Sequence, residues 1–318
     1  MKSLFNKLAL ACFRLVPSRI ARHFLFLLRS HPALADQWGY HIRPIHYYEP
    51  LPDFREITPA CTTRRRSPPT IEFNLAGQVA LMQHLAALYR SELEALASAP
   101  EPEGFNFHND YFAGMDAALY YAFIRDLKPA RVIEIGSGYS TRIADKALRR
   151  NRAEGRGGEL ICIEPYPQPR LTEAKLEITL VQKRVEELAP DFFAGLQSGD
   201  ILFIDSSHAV KFGSDVCHEF LEILPRLQPG VWVHVHDIFS PQDYPAEWLI
   251  ERRVAWNEQY LLEAFLSFND AFVVKAAVHW IELDYPEVAD LLKPNGPGRT
   301  GSELCAQAAS FWMQHKAD

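Results

Sequence analysis

Residues Arg131–Thr141 read RVIEIGSGYST. Val132, Ile133 and Ile135 have the character of a short buried strand, Glu134 is embedded among them, and two glycines, Gly136 and Gly138, follow at once. Ser140 and Thr141 are capping residue types and Arg142–Arg150 is a good helix-forming run, so the spacing predicts a strand, a glycine turn and a helix N-terminus in succession. At such a junction a ligand lies against bare backbone while N–H groups point outward. The stretch reads as a nucleotide-type cradle.

Working outward, strand-like runs at 131–136, 159–164, 177–182, 200–205 and 230–237 are separated by helical patterns at 140–150, 168–175, 186–197 and 214–224. Alternation of this kind predicts parallel strands joined by right-handed crossovers, a twisted sheet with helices on both faces, and a ligand at the carboxyl ends of the strands. A helix at 256–268, a strand at 271–278 and a last strand at 309–315 complete this α/β domain, and a helix over 111–127 feeds it. Upstream, Leu75, Val79, Met82, Leu85, Tyr89, Leu93 and Leu96 recur at helical steps behind an Asn74 cap. SAPEPEG, Ser98–Gly104, then breaks the pattern. The break divides the sequence into a mainly helical N-terminal region, 1–104, and the main domain, 105–318.

The chain has 318 residues, a net charge of -7 and a pI near 6.0, and no basic block with interleaved aromatics, which argues against nucleic acid as a partner. Arg64, Arg65 and Arg66 form a tight basic run with the character of a solvated loop. Five cysteines at wide spacings, without a Cys-x-x-Cys pair, fit a reducing cytoplasm. Met1–Ala35 holds six Lys/Arg residues and no acid. Its apolar runs are too interrupted to span a bilayer or to form a secretory signal, which leaves a basic helix packed on the protein or resting on anionic lipid. Gly39–Phe54, GYHIRPIHYYEPLPDF, holds three prolines and cannot be one regular element; His41, His46, Tyr47 and Tyr48 there are candidates for lining a substrate pocket.

Ligand identity turns on two acids. A dinucleotide fingerprint needs a third glycine where this chain has Thr141, and Glu134 would set negative charge beside a pyrophosphate. An NAD-dependent oxidoreductase is therefore the weaker reading, and a cationic, phosphate-free ligand the better one. Glu164, at the end of the second strand in LICIEPYP, is positioned for two ribose hydroxyls, so a nucleoside is expected.

On these residues the chain resembles the class I S-adenosylmethionine-dependent methyltransferases, whose first motif is an acid, a glycine turn and a helix, here EIGSGYST. The resemblance covers about residues 105–318. The strings HYYEPLPDF, VIEIGSGYSTRIA, CIEPYP, DILFIDSSHAVKFGSDV, VHVHDIF and EQYLLEAFL are similar to one bacterial branch of that superfamily. It implies a Rossmann-like, mostly parallel seven-stranded sheet with a C-terminal antiparallel hairpin. It also implies cofactor contacts at Glu134, Gly136, Ser137, Gly138 and Glu164, with Tyr111 and Asp116 toward the methionine end.

DILFIDSSH, Asp200–His208, and VHVHDIF, Val233–Phe239, end neighbouring strands. By resemblance to metal-dependent O-methyltransferases of the catechol type, Asp205, His236 and Asp237 hold a divalent cation and His208 is the general base. The imidazole at 236, where that family has a carboxylate, leaves magnesium, manganese, iron and zinc open. His234 is read as facing away from His236 and is left out. The expectation is a cytoplasmic enzyme that methylates a hydroxyl of a small metabolite or saccharide. A non-catalytic membrane-surface protein with a degenerate nucleoside fold stands as the reading from another class.

Overall fold

The computed structural model describes residues 15–100, 104–172, 175–294 and 307–317. The chain falls into two compact units, Met1–Ile57 and Thr58–Asp318. In the first, Pro17 precedes a helix α1 (Ser18–Ser30), and a short helix Pro32–Asp36 follows. Among the described residues no helix is long and apolar enough to cross a membrane.

The larger unit is built on one seven-stranded sheet: β1 (Arg131–Ile135), β2 (Glu159–Ile163), β3 (Thr179–Val181), β4 (Ile201–Ile204), β5 (Trp232–Val235), β6 (Phe272–Ala277) and β7 (Phe311–His315), in the order β3-β2-β1-β4-β5-β7-β6. The first five are mutually parallel, and β7 inserts antiparallel between β5 and β6. The hydrophobic runs of the sequence thus become strands at the expected places, and the last strand is paired on both sides within the sheet.

Alternation along the strands splits the core into two layers. Val132, Leu160, Cys162, Phe203 and Trp312 face the helices on one side, while Ile133, Ile135, Leu202, Ile204, Val233 and Met313 face the other. The first layer is covered by α2 (Leu75–Ser98), α3 (Gly114–Leu127) and α4 (Tyr139–Ala153). Asn74, at φ 48°, caps α2 by accepting from Gly77 N, as the sequence predicts. Buried Arg125 of α3 binds Glu92 of α2, and Asn151 and Glu154 at the end of α4, so one guanidinium joins three helices.

The compact units divide at Ile57/Thr58, not at Ser98–Gly104. On either side of residues 101–103, which lie outside the described residues, Gly104 N donates to Pro100 O and Phe105 N to Leu96 O. The helix α2 packs on α3 and belongs to the larger unit. Gln78 of α2 also accepts from Ala277 N at the end of β6.

Three helical patterns come out differently. The span 186–197 forms two 3₁₀ segments, Val185–Glu187 and Pro190–Gly195, because Pro190 has no N–H to continue the first. The pattern at 168–175 is a single turn, Pro169–Thr172, and 173–174 lie outside the described residues. The pattern at 214–224 contains a π turn, Glu219–Ile223, within Asp215–Arg226. The helix expected over 256–268 is α5 (Glu258–Leu266), and two short helices, α6 (Val278–Asp284) and α7 (Pro286–Leu292), were not legible as periodic patterns.

Register positions the site. Ile135 pairs with both Ile163 and Ile204, and Ile204 with Val235. Gly136, Glu164, Asp205 and His236 are therefore each the first residue past a strand, in one row across the sheet. Strand order reverses between β1 and β4, so Gly136 and Asp205 flank the topological switch point.

Candidate active site

Gly136 has φ +78°, and a Cβ there would sit 1.9 Å from the carbonyl oxygen of Asp205. Only glycine combines that backbone angle with that approach. Two residues on, a Cβ at Gly138 would meet nothing within 4 Å, so its surroundings are open. Thr141, in place of a third glycine, accepts from Gly138 N at 3.0 Å and donates to Glu134 at 2.5 Å. Its hydroxyl ties the turn to the strand beneath.

Beside this turn lies a cavity of about 460 Å³, lined by Gly136, Glu164, Tyr166, Val185, Asp205 and Lys211 among others. That volume suits a nucleoside-sized ligand. Glu164 accepts from Ser137 N at 3.3 Å and from Tyr166 N at 2.7 Å, so its carboxylate is fixed at the cavity wall.

A second cavity of about 570 Å³ is lined by Tyr111, Asp116, Asp205, His236, Asp237, Phe239, Trp248, Arg252 and Trp256. Asp205 lines both cavities. Behind Asp205 and Asp237 stands His208, with Nε2 at 3.3 Å from Asp205 Oδ1 and 3.4 Å from Asp237 Oδ2. One ligand atom from each of Asp205, His208 and Asp237 lies within 4.8 Å of the others. His208 and Asp237 both adopt left-handed backbone, at φ 58° and 56°. Such conformations cost energy in non-glycine residues and collect at functional sites.

Residues 133–238 match the family model of a methyltransferase domain. The span runs from within β1 to just past β5 and takes in the turn, Glu164, Asp205, His208, His236 and Asp237. Over that span the chain carries a methyltransferase domain. An uncharacterized protein of Archaeoglobus fulgidus is 28% identical over 176 residues, 50% of this chain and 75% of that protein. An O-methyltransferase from Bacillus cereus in complex with S-adenosylhomocysteine is 11% identical, with 76% of this chain and 91% of that chain covered and a TM-score of 0.37. The plantazolicin methyltransferase BpumL is 10% identical, with 76% and 96% covered and a TM-score of 0.36. Likenesses this distant carry no argument about substrate.

Within the methyltransferase several expected residues sit otherwise than the sequence suggests. Glu134 is fully buried beneath the turn, held by Thr141 and by Tyr120 OH at 3.1 Å, with Cys162 Sγ nearby at 3.8 Å. Burial outweighs these hydrogen bonds and pushes its carboxyl up to about 7. It supports the cradle from below. Asp116 accepts from Ala309 N and Ser310 N and so anchors the entry to β7 while also lining the second cavity. Tyr111 is exposed at the cavity rim and stacks on Tyr139, with ring centroids 5.2 Å apart.

The resemblance groups His236 with Asp205 and Asp237, whereas the imidazole grouped with both carboxylates in the structure is that of His208. His236 lines the cavity, with Nε2 at 3.8 Å from Asp237 Oδ1, while its Nδ1 has no hydrogen-bond partner among the described residues. His208 joins the two carboxylates from behind, buried against Trp256 at a ring distance of 4.4 Å. Burial alone would depress its pKa, but the hydrogen bonds to Asp205 and Glu258 and the charge of Asp237 hold it well above the usual histidine range. His234 and His236 share a face, as residues two apart on a strand must, with ring centroids 5.5 Å apart. His234 lies outside the cavity lining because it sits deeper, stacked on Phe203 and bonded to Ser310 Oγ at 2.9 Å.

Sequence reasoning missed Glu258, whose Oε2 is 2.8 Å from His208 Nδ1. It stands at the start of α5, fifty residues downstream, and reaches His208 because Asn257 N donates to His208 O and Val210 N to Asn257 Oδ1. Tyr166, Arg184 and Lys211 around the first cavity were missed as well. Their signal is positional: each follows the carboxyl end of a strand.

Proposed function

We propose that this methyltransferase moves the methyl group of S-adenosylmethionine to a hydroxyl oxygen of a small polar acceptor, a metabolite or saccharide, held in the Asp205–Asp237–Trp256 cavity. The observation that carries the reading is that Asp205 lines both cavities, so a donor at the Gly136 turn and an acceptor beyond Asp205 would meet at one residue. The wall of the second cavity, with the four carboxylates of Asp110, Asp116, Asp205 and Asp237, an imidazole, Arg252 and the rings of Tyr111, Trp248 and Trp256, offers hydrogen bonds and flat apolar faces together, which suits a hydroxylated ligand.

A divalent cation fits the donor set. Asp205, Asp237 and His208 would hold it, two carboxylates and an imidazole whose ligand atoms are grouped close to what one ion with bonds of about 2.1 Å requires. When bound, such an ion lowers the pKa of a hydroxyl it touches. Glu258 fixes the His208 ring through Nδ1 and so directs Nε2 toward the carboxylates. His236, open to the cavity, stands where a proton acceptor is needed. His208 has Nδ1 committed to Glu258 and Nε2 to the carboxylates, which favours ligand over base for that residue. The same proposal puts the enzyme in the cytoplasm, in keeping with free thiols at Cys61, Cys162 and Cys217.

Calorimetry tests both parts before any acceptor is known: titration with S-adenosylhomocysteine, then with manganese. Asp237→Asn removes a charge while asparagine tolerates the left-handed backbone. It should keep S-adenosylhomocysteine affinity, lose manganese binding, and lower methyl transfer to a responsive hydroxylated compound by about 10²-fold or more. Transfer that survives chelation would remove the cation, and failure of the wild type to bind S-adenosylhomocysteine would overturn the function.

A further inference from the structure

The N-terminal unit carries a surface that methyl transfer leaves unused. In α1, Ile20, Phe24, Leu27 and Leu28 recur at i, i+4, i+7 and i+8 and form one stripe, while Arg22 and Arg29 lie on the opposite side with Arg19 and His23 at its flank. Leu28 is buried, but Ile20, Phe24 and Leu27 are 60%, 50% and 42% exposed. Leu25 beside them and Phe26 among the arginines are exposed too. The helix contains no acidic residue. Beyond it the chain goes on exposing rings that have one apolar and one polar end, at Trp38, Tyr40, Tyr47 and Tyr48.

Three features bear on what covers this stripe. The stripe itself, three part-exposed side chains, is far smaller than the roughly 800 Å² per partner that a stable dimer needs. Its charge is of one sign, so the complementary surface is anionic. The combination of an apolar stripe, an arginine face and neighbouring Trp and Tyr residues is that of a helix lying in the plane of a lipid interface. We propose that the N-terminal unit docks on an anionic lipid bilayer. The Ile20–Phe24–Leu27 stripe enters the boundary between headgroups and acyl chains, and Arg19, Arg22 and Arg29 reach the phosphates along their aliphatic stems.

The test uses the full chain and vesicles of phosphatidylcholine with or without phosphatidylglycerol, scored by co-sedimentation. The wild type should sediment with the anionic vesicles, less so as salt is raised. The exposed-residue variant Ile20→Ser/Phe24→Ser/Leu27→Ser should partition more weakly by roughly two orders of magnitude. Arg19→Gln/Arg22→Gln/Arg29→Gln should lose the preference for phosphatidylglycerol. Unchanged S-adenosylhomocysteine affinity in both variants reports an intact methyltransferase domain. The proposal is overturned if the wild type stays in the supernatant with anionic vesicles at low salt, or if the serine variant sediments as the wild type does. It is overturned equally if light scattering finds a dimer that the serine variant splits, which would assign the stripe to a second copy.

Discussion

Between β1 and β2 the site is made of main chain: a glycine at positive φ, a second glycine in open surroundings, and the N–H groups of Ser137 and Tyr166 binding Glu164. Between β4 and β5 it is made of side chains: two carboxylates and two histidines, turned toward one another by left-handed residues and braced by an acid from α5. The two halves share one row of strand ends, yet substitutions should injure them in opposite ways. The main-chain half has no side chain to spare, and added bulk breaks the fold. The side-chain half can lose a charged group and remain folded, and what disappears is binding or rate.

Gly136→Val is the most severe way to test this contrast. The φ of +78° and the 1.9 Å approach to Asp205 O should cost more than about 4 kcal/mol, enough to abolish cooperative melting in circular dichroism. The reason is the Asp205 carbonyl, which would collide with the side chain before any ligand did. Asp237→Asn, by contrast, should melt within a few degrees of the wild type, and an unfolded Asp237→Asn would erase the distinction between the halves.

Next in size is a pH effect confined to the main-chain half. The Glu134 carboxyl is held at about 7 in the fold against an ordinary value of 4.5. As pH rises from 4.5 toward 7 the unfolded chain gives up this proton before the folded one does. Stability from this group is thus complete below about pH 4.5 and declines across that window by roughly 3 kcal/mol. Urea midpoints for the wild type and Glu134→Gln should converge at pH 5 and separate at pH 7.5, with the variant the more stable relative to its own acid value. Parallel profiles would mean that the buried acid is ionised throughout.

The smallest effect is expected at Glu164, where a side chain serves the main-chain half. Glu164→Ala should fold normally and weaken S-adenosylhomocysteine binding by about 1–3 kcal/mol in a calorimetric titration. Unchanged affinity would take Glu164 off the ribose.

What was legible in the sequence follows the same division. That the turn, Glu164, Asp205 and Asp237 lie together was legible because each stands within two residues of a strand end, and register alone carries strand ends to one row. The approach of the His208 ring to both carboxylates was not legible. It depends on the loop after β4 swinging round to α5, where Asn257 and Glu258 catch it, and no local pattern links positions fifty residues apart. The fold was readable wherever hydrophobic period was strong. It was weaker at 186–197, where a proline outweighs the helical pattern, and at Ser98–Gly104, where the change of composition falls inside the larger compact unit. Tyr47 and Tyr48, candidates for a substrate pocket, are strongly exposed.

The approach of Gly136 to Asp205 joins the two halves mechanically. The Asp205 carbonyl occupies the space a side chain at Gly136 would take, and its carboxylate looks into the other cavity. A ligand in the cradle would lie beside the residue that carries the acid. Two occupants that bear on one element are linked, and the linkage is reciprocal: the factor by which the donor changes affinity at Asp205 is the factor by which an occupant at Asp205 changes affinity for the donor. A sulfonium gives up its positive charge when its methyl leaves. On the proposed function the two sides of that equality would therefore take different values before and after transfer, and the Gly136–Asp205 contact would be one route by which product release is ordered.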